Sequence, residues 1–134
     1  MKRSIALLLF FALAACAHFK SDACASGLGP VTTAEIFFGR SIPTGGSVSE
    51  EDWRRFLDTE ITPRFPEGLT VTDAHGQWRD AEGNITREPS KRLLLVLSGA
   101  PDEGAQIAAI KDAYKKTFRQ DSVLLIEGKA CAGF

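Results

Sequence analysis

The sequence predicts an α+β fold in which a four-stranded antiparallel sheet is covered on one face by two helices. Two observations predict it. Two segments carry apolar residues at helical spacing, and four segments show the short apolar or alternating runs that are typical of strands. A chain of 134 residues with 44% hydrophobic and 25% charged residues has the composition of one packed domain.

The first strand and the first helix follow each other closely. The strand is predicted from Val31 to about Gly39, after which SIPTGGS has the composition of a loop. Ser49 is the predicted N-cap of the helix, because three acidic residues follow it and place negative charge on the first turn. Pro63 predicts that this helix ends at about Thr62.

The second and third strands are predicted to form a hairpin. The pattern places them at 69–78 and 85–98, with a turn around Gly83 between them. Pro89 lies within the third strand and has no backbone N–H to donate, so a bulge or break is expected there.

The second helix and the last strand complete the chain. Pro101 and Asp102 begin a helix whose apolar residues share one stripe, and a strand over 123–128 follows it. The order β-α-β-β-α-β is that of the ferredoxin-like fold, with both helices on one face of the sheet.

The two central strands of that fold are apolar on consecutive residues. Ile36, Phe37 and Phe38 follow one another in the first strand, and 93–97 is LLLVL in the third. Successive side chains of a strand point to opposite faces, so both faces of the sheet centre are apolar. The helices cover only one face. We therefore expect a second subunit, giving a homodimer, or an apolar small-molecule ligand on the other face.

The N-terminus has the pattern of an export signal. Lys2 and Arg3 precede an apolar run that is too short to cross a bilayer, and the run ends in the sequence LAAC at Cys16. This ending resembles the lipobox of bacterial lipoproteins, in which the cysteine is lipidated. The predicted organisation is a signal peptide over 1–15, a lipidated Cys16 and tether over 16–30, and the domain over 31–134. The alternative is ordinary secretion, with cleavage after Ala17.

Both alternatives place the protein outside the cytoplasm. The first makes it a membrane-anchored lipoprotein facing the periplasm, and the second makes it a secreted protein. Lysine and arginine number 16 against 17 aspartate and glutamate residues, a balance that argues against binding to nucleic acid.

Cys24 and Cys131 are predicted to form a disulfide. The compartment is oxidising, and in the ferredoxin-like fold the last strand lies antiparallel to the first, which brings the two cysteines to one edge. The alternative is that Cys24 belongs to the tether and Cys131 is a free buried thiol. The sequence contains two histidines and no metal-binding spacing, so we expect neither a metal nor a cofactor.

Candidate site residues cluster in the predicted hairpin. His75 is the candidate general base and Glu88 the residue that orients it, both as possible catalytic groups. The other candidates for ligand contacts are polar or aromatic: Arg40, Arg64, Gln77, Trp78, Arg79 and Lys91. The alternative for the charged residues of the hairpin is a set of solvated cross-strand ion pairs, and for Arg40 and Arg64 a surface anchor.

Several motifs together resemble one bacterial family, the domain of unknown function 3574. The motifs are FFGR at 37–40, TPRFP at 62–66, GLTV at 68–71, GQWR at 76–79 and REPSK at 87–91. The resemblance covers residues 31–134. It implies a small exported protein, often a lipoprotein, and implies no catalytic residue.

Two functions remain open from the sequence. The favoured one is an envelope lipoprotein without catalytic activity, an interaction or structural module that dimerises through its sheet. The alternative is a small dimeric α+β barrel enzyme or a protein that binds an apolar small molecule. The doubly apolar sheet centre supports the first, and His75 with Arg40 and Trp78 supports the second. The sequence does not decide whether the protein is an enzyme.

Overall fold

The computed structural model of the chain describes residues 24–79 and 82–134. The predicted signal peptide over 1–15 and the predicted lipidation site at Cys16 lie outside the described residues. The tether predicted over 16–30 is described only from Cys24 onward.

Six main elements follow one another in the predicted order. The strands are β1 (Gly29–Gly39), β2 (Thr70–Arg79), β3 (Ile85–Leu97) and β4 (Leu124–Ala132), and the helices are α1 (Glu50–Phe56) and α2 (Glu103–Phe118). A π-helical segment, Leu57–Ile61, continues α1. The Ser49 side chain accepts a hydrogen bond from the Asp52 backbone N–H, as expected of the predicted N-cap.

The strands form one antiparallel sheet in the order β2-β3-β1-β4. This is the strand order of a ferredoxin-like fold, which confirms the predicted fold class. The two central strands, β1 and β3, pair in a register that sets Ile36 opposite Leu93.

The core lies between one sheet face and the two helices. Phe38 of β1 meets Trp53 and Phe56 of α1 and Tyr114 of α2, with ring centroids 4.8 to 6.2 Å apart. Offset and edge-to-face contacts of this kind stabilise aromatic clusters beyond the area they bury. Because α1 and α2 share this one face, no helix of the described residues lies on the opposite face of the sheet, here called the open face.

The structure corrects the predicted bulge at Pro89. Pairing of β2 with β3 runs without interruption from Thr70 opposite Leu94 to Arg79 opposite Ile85, with Pro89 opposite His75. The Pro89 carbonyl accepts a hydrogen bond from the Arg40 N–H, over 2.9 Å, on the side of β1. The N–H and C=O of a strand residue point to the same side, so the donor that proline lacks faces the point where β1 ends. No β2 pairing is lost.

Two strand boundaries also differ from the predicted ones. β1 begins at Gly29 and not at Val31, and β4 extends to Ala132. The extra residues of β1 pair with the extra residues of β4, with Gly29 opposite Ala132.

A disulfide closes this end of the sheet. Cys24 and Cys131 are joined with Cα atoms 5.6 Å apart, which confirms the predicted bridge. Within the part of the chain that the structure covers, no helix has the length and apolarity needed to cross a bilayer.

Candidate functional site

The open face carries apolar side chains with a polar region at one end. Val96, Leu124 and Ile126 project from it and are 41%, 57% and 49% exposed. Between them the Arg92 Nε donates to a Glu35 carboxylate oxygen over 2.7 Å. The hydrogen bond from Arg92 lowers the pKa of Glu35.

A cavity of about 770 Å³ occupies the end of the open face near the β2–β3 hairpin. The hairpin forms one wall, and the loops that follow β1 and precede β4 form the other. Its lining includes both apolar and polar side chains: Phe37, Ile42, Trp78, Thr86, Glu88, Ser90, Gln120, Asp121 and Leu124. The cavity is large enough for a small organic molecule.

Two strand glycines leave room for polar side chains on the cavity floor. A Cβ at Gly39 would lie 2.7 Å from both carboxylate oxygens of Glu88. A Cβ at Gly76 would lie 3.3 Å from the Ser90 Oγ. The backbone of β1 and β2 therefore approaches Glu88 and Ser90 more closely than residues with side chains would allow.

Glu88 is held by the backbone that continues from β1. Its Oε2 accepts a hydrogen bond from the Ser41 N–H over 3.1 Å, and the side chain is half-buried. Glu88 forms no ion pair with any Lys, Arg or His among residues 24–79 and 82–134. Its carboxylate is thus placed in the cavity with hydrogen-bonding capacity left over.

Ser90 is the second polar group of the floor. It is only 7% exposed, and it lies between Gly39 of β1 and Ala74 of β2 in the sheet register. Its Oγ makes no hydrogen bond to another group of the described residues, and it is open to the cavity, where water or a ligand can reach it. Since Ser90 lines the cavity, a bound molecule is a suitable partner for it.

The two loops beside the cavity are joined to each other. The Gln120 side-chain amide donates to the Ser41 carbonyl over 2.8 Å. Just before it, Arg119 caps the end of α2 in a left-handed conformation. From the other side of the sheet, the Tyr114 hydroxyl donates to the Gly39 carbonyl over 2.9 Å. Burial raises the pKa of Tyr114, so the hydroxyl stays protonated as a donor. The backbone of residues 39–41 is therefore fixed from both sides.

The register separates His75 from Glu88. His75 lies opposite Pro89, whereas Glu88 lies opposite Gly76, so the two side chains point to opposite faces of the sheet. The predicted arrangement, in which Glu88 orients His75, is therefore wrong. His75 and Gln77 line a second depression, of about 420 Å³, on the hairpin, and Arg87 and Glu88 line it as well.

Trp78 lines the cavity with Glu88, as do the predicted residues His75 and Gln77. It lies on the open face opposite Thr86 and is 50% exposed. Arg79 donates instead to the Gly83 carbonyl at the hairpin turn, over 2.7 Å.

The predicted ligand-binding cations are engaged elsewhere. Arg40 donates to the Val48 carbonyl and to Glu50, and Arg64 pairs with Glu60 over 3.0 Å. Both thus serve as local anchors, which is the alternative that the sequence left open.

Lys91 is buried on the helix side of the sheet. It is 6% exposed and binds Glu50 and Asp73. Its hydrogen bond lowers the pKa of Glu50 and of Asp73. Burial alone lowers the pKa of Lys91, but the hydrogen bonds to the two carboxylates outweigh it and raise that pKa.

The cavity itself was not predicted from the sequence. Ser41, Ser90 and Gln120 contribute to it and were not among the candidates. The signal available in the sequence was the pair of glycines inside apolar strands, Gly39 and Gly76, because a strand glycine often marks a close approach of other groups. No cluster of metal-binding side chains occurs in the described part of the chain.

Comparisons with known proteins bear on the family and the fold. A family model described as "Protein of unknown function (DUF3574)" matches residues 33–134, which confirms the resemblance drawn from the sequence motifs. No curated protein matches the chain.

Solved structures of similar fold include two of a phage SAM lyase and one of CutA. The lyase bound to S-methyl-5'-thioadenosine has a TM-score of 0.59 at 15% identity, covering 85% of this chain and 95% of that one. The lyase in its apo state has a TM-score of 0.56 at 17% identity, with 84% and 94% covered. CutA from Synechococcus elongatus has a TM-score of 0.52 at 10% identity, with 81% and 87% covered. At these identities the likeness concerns the fold.

Proposed function

We propose that this chain, which belongs to the DUF3574 family of proteins of unknown function, is an exported lipoprotein that binds a small molecule in the cavity of its open face. Of the two functions that the sequence left open, the cavity favours ligand binding. The single observation that carries this proposal is the floor of the cavity. Glu88 and Ser90 both point into it without a side-chain partner in the described chain, beside the aromatic rings of Phe37 and Trp78.

The physical argument rests on the strands that form the floor. The glycines at Gly39 and Gly76 weaken these strands, and they let the Glu88 carboxylate and the Ser90 hydroxyl lie close to the backbone and face the cavity. A bound molecule that hydrogen-bonds to Glu88 and Ser90 and packs against the rings compensates this cost. Pockets of this composition, apolar walls with a few convergent polar groups, are typical of small-molecule sites.

Binding can be measured with N-phenyl-1-naphthylamine, a neutral apolar probe whose fluorescence rises on transfer out of water. We expect the purified protein to enhance its fluorescence and Ala74→Trp, which fills the cavity, to abolish the enhancement. Thr72→Trp is the matched control, because Thr72 lies on the same strand and face outside the cavity lining. Equal enhancement by both variants would place the probe outside the cavity.

Export and lipid anchoring form the second part of the proposal. The support is the sequence LAAC at 13–16 after an apolar run, together with the Cys24–Cys131 disulfide, which suits an oxidising compartment. Cells fed a fatty-acid analogue should label the wild type and not Cys16→Ser. Label retained on that variant would contradict the anchor.

Self-association through the open face is a second candidate function, that of an interaction module, and a second copy of this chain is the proposed occupant. The support is the row of exposed apolar side chains at Val96, Leu124 and Ile126, which a monomer would leave in water. The Glu35–Arg92 pair lies beside them. In a two-fold symmetric interface the same patch faces itself, so Glu35 of one copy can face Arg92 of the other.

The test is the mass in solution. We expect light scattering to give a dimer for the wild type and a monomer for Ile126→Glu. Ala109→Glu adds the same charge on the exposed side of α2 and should leave the dimer intact. A monomeric wild type at micromolar concentration would contradict this candidate.

A further inference from the structure

We infer that the ligand of the cavity is an organic cation, a molecule with an ammonium-type centre attached to an apolar body; this rests on the proposed function and adds the ligand's charge. The inference comes from what lines the cavity: carboxylates, aromatic rings and an unpartnered hydroxyl, with no lysine or arginine among the lining residues that the structure describes.

The charge of the lining is the first step. Glu88 lies on the floor, and Glu82 and Asp121 contribute at the edge. The nearest cation along the chain is Arg87, whose side chain the sheet register directs to the other face. Arg40 and Lys91 are both bound to Glu50 on the helix side of the sheet. Burying a neutral or anionic molecule against Glu88 would leave the carboxylate without a compensating charge, whereas a cation would supply it.

The position of Glu88 is the second step. Its Oε2 is used by the Ser41 N–H, and the glycine at position 39 lets the carboxylate lie flat against the backbone of β1. The carboxylate is therefore held at a fixed place, and this lowers the entropy lost when a cation binds.

The third step is the aromatic wall and the hydroxyl. Phe37 and Trp78 both belong to the lining, and the face of an aromatic ring attracts a cation. Ser90, at 7% exposure, gives a hydrogen-bonding group next to the carboxylate on the same strand face. Carboxylate, rings and hydroxyl together fit a cation that also carries a hydroxyl or another polar atom.

Among residues 24–79 and 82–134, His75 is the one basic side chain that contributes to the lining. The sheet register directs its side chain to the face opposite Glu88, so it does not neutralise the floor. The exposed Arg87 lies with it on that other face and lines the smaller depression of the hairpin, which Glu88 also lines, and it does not line the larger cavity.

The test uses two molecules of nearly the same shape: choline, which is a cation, and 3,3-dimethyl-1-butanol, which is neutral. Binding is followed by NMR through the indole N–H signal of Trp78, with the signal of the buried Trp53 as an internal control. We expect choline to bind at least about tenfold more tightly than the neutral alcohol.

The variants separate charge from shape. Glu88→Gln keeps an oxygen for the Ser41 N–H and should remove the preference for choline, while Glu127→Gln, an exposed carboxylate outside the cavity lining, should keep it. Ser90→Ala should reduce the affinity for choline and for the alcohol by the same factor, since each molecule carries a hydroxyl.

Two results would overturn the inference. One is equal affinity of the wild type for choline and the alcohol, and this comparison needs no variant to fold. The other is no effect of choline on Trp78 at all. In either case N-phenyl-1-naphthylamine decides separately whether the cavity binds small molecules, so failure of the charge inference and failure of the proposed function give different results.

Discussion

The Lys91 ammonium donates a hydrogen bond over 2.9 Å to the carboxylate of Glu50, the first residue of α1. The same ammonium binds Asp73 on β2, so one buried side chain joins a helix start to two strands. The carboxylates remain largely in water, with side chains 57% and 77% exposed. This asymmetry between a buried cation and exposed anions determines what substitutions there will do.

Replacing Lys91 by methionine should be tolerated, whereas replacing it by glutamate should not. Methionine fills the same volume, and the carboxylates of Glu50 and Asp73 keep their water, so we expect a loss of less than about 1.5 kcal/mol in the free energy of unfolding. Lys91→Glu buries a third negative charge beside two others and should cost more than about 3 kcal/mol. Urea denaturation measures both. A methionine variant as unstable as the glutamate variant would show that the ion pairs themselves stabilise the fold.

The protein should lose stability at acid pH, and part of this loss should depend on Lys91. The hydrogen bond from Lys91 lowers the pKa of Asp73 and Glu50 below their ordinary values of 3.8 and 4.5. Groups with a depressed pKa in the folded state stabilise it above the ordinary pKa, and this stabilisation is lost as the pH falls through the lowered pKa. We expect urea midpoints to decrease below about pH 4.5 and to decrease less in Lys91→Met. If the urea midpoints of the wild type and of Lys91→Met decrease equally below that pH, the acid loss of stability does not depend on Lys91.

Alanine at Gly39 should damage the cavity more than the fold. The new Cβ would lie 2.7 Å from the Glu88 carboxylate, so Glu88 must move and lose its bond from the Ser41 N–H. We expect a loss of about 1 kcal/mol in stability and at least about a tenfold loss of choline affinity. Gly128→Ala is the control, since its Cβ would meet only the Thr33 Oγ1, at 3.8 Å. If both variants bind choline as the wild type does, Glu88 is not a ligand contact.

The disulfide should contribute measurably to stability. It closes a loop with a sequence separation of 107 residues, for which constraint of the unfolded chain gives up to about 4.7 kcal/mol. We expect the Cys24→Ser, Cys131→Ser double variant to lose about 2 to 4.7 kcal/mol in urea denaturation. Thiol titration of the unfolded, unreduced protein should find neither cysteine free. Two reactive thiols would contradict the bridge.

The fold could be predicted because each element carries a local signal. Ser49 and the acidic residues after it mark the start of α1, and the alternation in β2 and β3 indicates a hairpin. The register could not be predicted, since a shift by one residue moves every side chain to the other face. That is why His75 and Glu88 were expected to meet and do not.

The cavity depends on contacts between segments far apart in sequence. Gln120 reaches the Ser41 carbonyl across 79 positions of the chain, and Glu88 reaches the Ser41 N–H across 47. Neither loop has a local pattern that predicts such contacts. Arg40 was expected to bind a ligand because it follows a strand, but the carboxylate of Glu50 starts the next helix within its reach.

The position of the disulfide determines how a lipid-anchored form would be oriented. Cys24 and Cys131 lie where β1 begins, whereas the cavity lies where β1 ends, near Phe37 and Gly39. At about 3.3 Å per residue, the length of β1 separates the two by roughly 30 Å. An anchor at Cys16 would leave only the short segment to Cys24 free, with a reach of at most about 28 Å. The bilayer would then adjoin the disulfide end, and the mouth of the cavity would face the aqueous compartment, from which a water-soluble ligand would enter.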